Sequence, residues 1–381
     1  MKIIVLGAGL VGVPMAIDLA KDKNFDVSIS DINERNLSKI DNKFDILKIE
    51  KDLSDKSLLK ELIKDYDLVL NALPGFMGYK TLESIIEAGK NVVDISFFPE
   101  DAFGLDILAK KNGVTAIMDC GVAPGMSYIL VGYVNDILDK TENVEIYVGG
   151  LPKIRTWPYE YKAVFSPADV IEEYTRPARF VKEGKLVTKE ALSDIELMDF
   201  ENIGTLEAFN SDGLRSLIKT IDCPNMIEKT LRYPGHVEKM KMLRETGFFN
   251  KETILINGKE VSPLDFTSKL LFPKWELKEG EEDVTIMKII VEGEKDNKKL
   301  KYSYDLFDSY DAKTKTHSMA RTTGYTATMA VRMLNEKLFN EKGIIVPEYI
   351  GKHHDCVKFM LDGLKERAVV YKESLQSDSQ Q

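Results

Sequence analysis

The chain has 381 residues, 44% of them hydrophobic and 30% charged, with 52 Lys and Arg against 62 Asp and Glu and a formal net charge of −10. That length suits two domains better than one core. The acidic balance argues against duplex nucleic acid or an anionic membrane as partner, and leaves room for a small anionic cofactor held by backbone amides. Residues 2–9, Lys-Ile-Ile-Val-Leu-Gly-Ala-Gly, are too short and Gly-interrupted for a secretory signal. No apolar run approaches the ~20 residues that span a bilayer. Three cysteines far apart, Cys120, Cys223 and Cys356, read as free thiols of a reducing cytoplasm. The tail from Ser374 to Gln381 is expected to fray.

In chain order, the first third alternates strands and helices. Strands are predicted over Ile3–Leu6, Val27–Ser30, Ile46–Ile49, Leu68–Asn71, Val92–Ile95 and Val114–Met118. Helices are predicted over Val11–Lys21, Leu58–Lys64, Thr81–Ala88 (closed by Gly89) and Ala102–Lys111 (closed by Asn112-Gly113). Short apolar runs in this rhythm predict a parallel sheet covered on both faces, a doubly wound α/β fold.

After Pro124-Gly125 the rhythm changes. A helix over Ser127–Leu138 precedes strands over Val144–Val148, Thr205–Phe209, Ile227–Arg232, Thr285–Val291 and Tyr302–Phe307, with helices over Val237–Arg244, Leu264–Leu271 and Thr322–Lys337. Glu279–Asp283 reads as a solvated charged turn. The expected architecture is an N-terminal Rossmann domain, 1–122, and a second α+β domain with a mostly antiparallel sheet, 123–320. A C-terminal helical segment, 321–381, is expected to pack back on the first domain.

Gly7-Ala8-Gly9-Leu10-Val11-Gly12 fits G-x-G-x-x-G and lies between a strand and a helix, the context that gives this otherwise weak pattern its meaning. The glycines allow a tight turn, approach of a pyrophosphate, and close helix packing, and the helix start offers free amides to phosphate. Asp31 ends the second strand, where a carboxylate bonds the ribose 2′-OH and repels a 2′-phosphate. With Ile32 beside it, this predicts NAD, although Arg35 offers a cation to NADP. Asp52-Leu53 are candidates to flank the adenine, and Asn71-Ala72-Leu73-Pro74 to line the nicotinamide ribose. Loops at these positions equally serve structure alone.

The GAGLVG turn, Asn71-Ala72-Leu73-Pro74, Val93-Asp94-Ile95-Ser96 and Asp119-Cys120-Gly121-Val122-Ala123-Pro124-Gly125-Met126 together resemble the saccharopine dehydrogenase-like family. Tyr147–Pro152, Glu160-Tyr161, Phe165-Ser166, Leu206–Phe209, Arg232-Tyr233, Gly235-His236 and Ala320–Thr323 resemble its lysine 6-dehydrogenase branch, so that the likeness runs to about residue 350. The resemblance implies an active site between two domains, homo-oligomers (dimer or higher), and NAD-dependent oxidation of the ε-amine of L-lysine to 2-aminoadipate 6-semialdehyde, which cyclises. Related enzymes act on saccharopine or carboxynorspermidine. A non-catalytic NAD-binding regulator is the reading from another class.

Amine oxidation needs a neutral amine, a base, and partners for the substrate's carboxylate and ammonium. His236, at a Pro234-Gly235 turn before a helix, is the candidate base; capping or packing is the plainer role. Arg232 and Arg321 are candidates for the carboxylate, against a surface ion pair worth ~0–1 kcal/mol. Asp94 and Asp119, near the ends of predicted strands, are candidates to bind the ammonium or steer the base, or simply to cap loops. Tyr161 and Glu207 complete the set, with Glu207 equally able to face solvent. Cys120 reads as structural, since the reaction needs no covalent intermediate, and His353-His354 with Cys356 lack metal-ligand spacing.

Overall fold

A computed structural model describes residues 1–278 and 280–377. The chain divides into two units, Met1–Ile137 with Met319–Val370, and Leu138–Ser318 with the segment from Tyr371 onward.

The first unit is built on β1 (Lys2–Leu6), β2 (Asp26–Asp31), β3 (Ile46–Glu50), β4 (Leu68–Asn71), β5 (Asn91–Asp94) and β6 (Thr115–Ile117). They pair in parallel in the order β6-β5-β4-β1-β2-β3, with the strand Gly343–Ile345 added beside β6. β1, β4 and β5 are buried almost throughout, as continuous Val/Ile/Leu runs demand. The helices are α1 (Gly12–Ala20), α2 (Glu34–Ser38), α3 (Lys56–Ile63), α4 (Gly75–Glu87), α5 (Asp106–Lys111) and α6 (Met126–Ile137). Three more are Ser318–Asn335, Pro347–Gly351 and His354–Glu366. Helix α6 therefore lies in the first unit, where the sequence had set the boundary at 122/123; its first seven residues are all buried.

Asp18 joins distant parts of this unit. Its carboxylate takes Arg332 Nη1 at 2.8 Å, Arg367 Nε at 2.9 Å and Thr328 Oγ1 at 2.6 Å. Helix α1 is thereby tied to Ser318–Asn335 and to the turn after His354–Glu366.

The second unit carries a mixed sheet of β7 (Lys140–Pro152), β8 (Ala178–Lys182), β9 (Lys185–Lys189), β10 (Glu196–Phe200), β11 (Gly204–Asn210), β12 (Met226–Arg232) and two more long strands. Between β12 and those two, β13 (Ile254–Ile256) and β14 (Lys259–Val261) form a separate hairpin. The long strands are β15 (Asp283–Lys295) and β16 (Lys298–Ser309). The order is β10-β11-β12-β7-β15-β16 and then Tyr371–Ser377, with β8 and β9 branching from β12. Among the described residues, β12–β7 is the only parallel strand pair of this sheet. Its helices are α7 (Pro167–Thr175), α8 (Leu217–Thr220), α9 (His236–Glu245) and α10 (Pro263–Trp275).

Two expectations change here. The segment 321–381 is not wholly helical, because Tyr371–Ser377 pairs antiparallel with β16 instead of fraying, and residues 378–381 lie outside the described residues. Glu279 is also outside them, while Asp283, read as the end of a solvated turn, is fully buried at the start of β15.

Candidate active site

In the first unit the chain leaves β1 at Leu6 and turns at Gly7, whose φ of 98° is the left-handed region. A Cβ there would sit 2.8 Å from the Ala72 carbonyl oxygen, and one on Gly12 only 1.9 Å from that of Gly7, so neither position admits a side chain. Gly9 has nothing within 4 Å of its Cβ position, leaving the turn open on that side. Asp31 secures it: Oδ2 accepts the Ala8 amide at 2.7 Å and Oδ1 the Asn33 amide at 2.8 Å. This is the cradle that a dinucleotide requires, and the residues present fit that group.

Of the other cofactor candidates, Leu10, Ile32 and Arg35 are exposed and Val11 is half-buried. Asn33 caps α2 by accepting the Arg35 amide at 3.0 Å. Ala72, Leu73 and Pro74 are half-buried after β4. Asp52 is exposed, its carboxyl held below the usual range by hydrogen bonds from Ser54. Leu53 departs from expectation: it is buried in the core with Leu59 and Ile63, so it packs the fold rather than flanking an adenine.

Asn71 and Asp94, at the carboxyl ends of adjacent strands, are fully buried and bonded, Asn71 Nδ2 donating to Asp94 Oδ2 at 2.8 Å. Asp94 Oδ1 accepts the Ser96 amide at 2.6 Å and the Ser96 hydroxyl. Burial outweighs these bonds and, with Asp119 adding repulsion, pushes the Asp94 carboxyl up to about 7. Asp119, two residues past β6, is held at φ 51°, a conformation Asp tolerates better than most side chains. Burial pushes the Cys120 thiol far up, consistent with a packing role. Arg321 is also buried; its Nη2 donates to the Arg367 carbonyl at 3.1 Å, within the first unit.

In the second unit, the structure gathers Arg232, His236 and Tyr161 around partners the sequence did not suggest, Glu173, Tyr174 and Trp275. Arg232 ends β12 with 2% exposure. Its Nη2 meets Glu173 Oε2 at 2.6 Å, its Nε donates to Tyr174 Oη at 3.1 Å, and its guanidinium lies 4.5 Å from the Tyr161 ring centroid. Burial opposes the charge, but Tyr174, Tyr161 and Glu173 hold it on. Burial also raises the Glu173 carboxyl, with Arg232 pulling it back. Arg232 is thus committed to an internal pair and not presented as an open carboxylate fork.

His236 is the first residue of α9 and is fully buried. Its Nδ1 lies 2.7 Å from the Tyr159 carbonyl and its Nε2 2.9 Å from Tyr174 Oη. Since a carbonyl only accepts, Nδ1 carries the proton and Nε2 accepts from Tyr174. Burial, followed by the Arg232 charge, pushes its pKa down to about 3. That disfavours the general-base role expected of it, because its conjugate acid is unstable at neutral pH. The unfolded chain takes a proton near 6.5 and the folded one does not, so stability present above 6.5 is lost as pH falls. Between pH 6.5 and 5 the loss should be about 2 kcal/mol. Urea midpoints at the two pH values should show it, and His236→Gln should flatten the slope; an unchanged slope would refute the assignment. Glu207 does not face solvent: its carboxylate caps α9, accepting the Gly235 amide at 2.8 Å and the Val237 amide at 3.3 Å.

Among the described residues no group of three or more His, Cys, Asp or Glu is placed to hold a metal ion, and no helix is long and apolar enough to cross a membrane.

Comparison with known proteins puts this geometry in context. The family model described as Saccharopine dehydrogenase NADP binding domain matches residues 3–117, and that described as Saccharopine dehydrogenase C-terminal domain matches residues 121–370. The mitochondrial alpha-aminoadipic semialdehyde synthase of Mus musculus is 24% identical over 71% of this chain, which spans only 31% of that relative's length. The saccharopine dehydrogenase [NADP(+), L-glutamate-forming] of Saccharomyces cerevisiae is 25% identical over 68% of this chain and 61% of its own. The carboxyaminopropylagmatine dehydrogenase of a Synechocystis strain is 21% identical over 97% of this chain and 98% of its own. The solved apo saccharopine dehydrogenase (L-Glu forming) of Saccharomyces cerevisiae shares the fold, with a TM-score of 0.80, 19% identity, and coverage of 98% of this chain and 99% of that one. With its C-terminal model alone covering well over half of its residues, the chain belongs to the saccharopine dehydrogenase family.

Proposed function

We propose that this chain is a nicotinamide-dependent dehydrogenase that oxidises a carbon–nitrogen bond of an amino-acid amine, with NAD as its cofactor. The observation that carries the cofactor reading is Asp31, a carboxylate fixed beside the glycine turn by the Ala8 and Asn33 amides. An anion there favours a free ribose 2′-OH and repels a 2′-phosphate. The matching family model is described as NADP-binding, so cofactor choice is a point on which this chain is expected to depart from that description.

Within the class, the reading is the ε-amine of L-lysine, oxidised to 2-aminoadipate 6-semialdehyde. Its support is the run of family-like segments in both halves of the chain. A second reading, oxidation at a secondary amine, is favoured by the end-to-end likeness to the Synechocystis relative. The bound dinucleotide would supply the hydride acceptor. For the protein's part, the amine must give up its proton before hydride leaves, and the carbon must be held in line with the acceptor. Asp94 suits the holding of that proton, because its buried carboxyl exchanges near neutrality.

The test is absorbance at 340 nm with NAD or NADP and, in parallel, L-lysine, ornithine, saccharopine and carboxynorspermidine. A rise with NAD and lysine is expected; turnover of saccharopine with none on lysine would select the second reading. Asp31→Ala should narrow the preference for NAD over NADP by at least tenfold, roughly 1.4 kcal/mol. An unchanged preference would remove Asp31 from ribose recognition. Cofactor binding without turnover of any amine would instead indicate a regulator.

A further inference from the structure

The first unit holds a pocket at the far end of α1 from the glycine turn. It is a cavity of about 720 Å³ bounded by the residues just past α1, by the helix Ser318–Asn335 and by the end of the helix His354–Glu366. Helix α1 returns from the carboxyl edge of the parallel sheet to its amino edge, so the pocket lies at the edge opposite Asn71 and Asp94. The nine residues of α1 put roughly 12 Å between it and the cradle fitted to pyrophosphate. Four cations and three carboxylates line the cavity. Its apolar lining is Met329, 2% exposed, and Phe359, half-buried. A Cβ on Gly363 would sit 2.1 Å from Met329 Cε, so the glycine is what lets the two helices meet there. Two of the cations are fixed by Asp18. Arg332 gives it Nη1 at 2.8 Å, and Arg367 gives it Nε at 2.9 Å while Nη1 donates to the Gly363 carbonyl at 2.8 Å. Among the described residues Arg367 Nη2 has no hydrogen-bond partner. The exposed side chains of Lys21, Lys23 and Glu366 likewise make no ion pair among the described residues. Uncommitted groups of both signs thus meet in one cavity.

We propose that this pocket binds a free α-amino acid with an apolar side chain, at a site separate from the glycine turn and from Asp94. The charges select a zwitterion. The α-carboxylate takes Arg367 Nη2, with Lys21 and Lys23 adding positive field. The ammonium takes Glu366, with Asp362 one turn earlier on the same helix face. Met329 and Phe359 receive the side chain. A bare anion would be repelled by Glu366, and a bare amine by the arginines and lysines. Because Asp18 already holds both guanidinium groups, little side-chain freedom is lost when the ligand arrives. The cavity is within the size range of small-molecule sites and leaves room for ordered water around an amino acid.

Calorimetric titration of the full chain with L-leucine tests the site. Leucine has no ε-amine, so the result does not depend on the proposed turnover. Saturable binding with a dissociation constant below about 1 mM is expected, unchanged by saturating NAD. Isocaproate, which lacks the ammonium, and isoamylamine, which lacks the carboxylate, should each bind at least about tenfold more weakly. Glu366 is exposed, so Glu366→Ala should leave the circular dichroism unchanged while raising the dissociation constant for leucine about tenfold or more. Cross-linking with L-photoleucine, the diazirine analogue, should label residues around 21–23 and 359–367. A weaker dissociation constant than the stated bound overturns the proposal, as does displacement by NAD or label confined to other segments. A Glu366→Ala variant that binds leucine like the parent, or isocaproate binding as tightly as leucine, overturns the recognition of a zwitterion.

Discussion

Arg232→Ala is expected to destabilise the second unit by about 3–5 kcal/mol, the usual consequence of leaving half of a buried ion pair behind. Arg232 is 2% exposed and stands between the Glu173 carboxylate at 2.6 Å and the Tyr174 hydroxyl at 3.1 Å. Removing the guanidinium strands Glu173, whose carboxyl is already raised by burial and would take up a proton. It also opens a cavity against the Tyr161 ring. The double variant Arg232→Met with Glu173→Gln keeps volume and removes both charges, and should recover at least half of the loss. Fluorescence is a suitable probe, because the two tryptophans differ: Trp275 is fully buried in this cluster and Trp157 is exposed. A loss under about 1 kcal/mol, or a double variant no better than the alanine, would show that the pair has no such weight.

Asp18→Ala should cost the first unit a similar amount, about 3–5 kcal/mol. One carboxylate there neutralises Arg332 and Arg367, with all three side chains under one-fifth exposed. Without it the two guanidinium groups lose their shared anion, and Arg332 is left with the more distant Asp22 carboxylate, 4.0 Å from its Nε. Hydrogen exchange should speed up in residues 319–370 and in α1 while amides of the second unit keep their protection. Uniform acceleration, or none, would contradict the role given to Asp18.

How far these features can be seen in the sequence depends on how local they are. The six strands of the N-terminal rhythm, the glycine turn and Asp31 are written in adjacent residues, and the structure sets β1 to β6 within two residues of the predicted bounds. Gly343–Ile345 escaped notice because three residues carry no periodicity, and their pairing with β6 reaches across more than 200 positions. Helix α7 went unread although Ser166 and Pro167 mark its start. With it went Glu173 and Tyr174, the partners that turn Arg232 and His236 inward. The sequence identified these two as chemically capable residues. It did not show that each was already occupied, because occupation depends on burial and on neighbours some 60 residues away. Leu53 illustrates the reverse error: a loop position in the right place, whose apolar side chain finds the core.

The chain crosses between its two units three times, after Ile137, Ser318 and Val370. Neither unit is therefore a contiguous stretch of sequence. During synthesis the parallel sheet of the first unit waits for Gly343–Ile345, and the mixed sheet waits longer, for Tyr371–Ser377 to cover the edge of β16. Both sheets must persist for a time with an open edge, a state prone to wrong pairing. A gene fragment ending at residue 318 would carry the whole β7–β16 framework and still expose that edge. The order of translation, as much as the final contacts, sets the hazard that this fold has to pass.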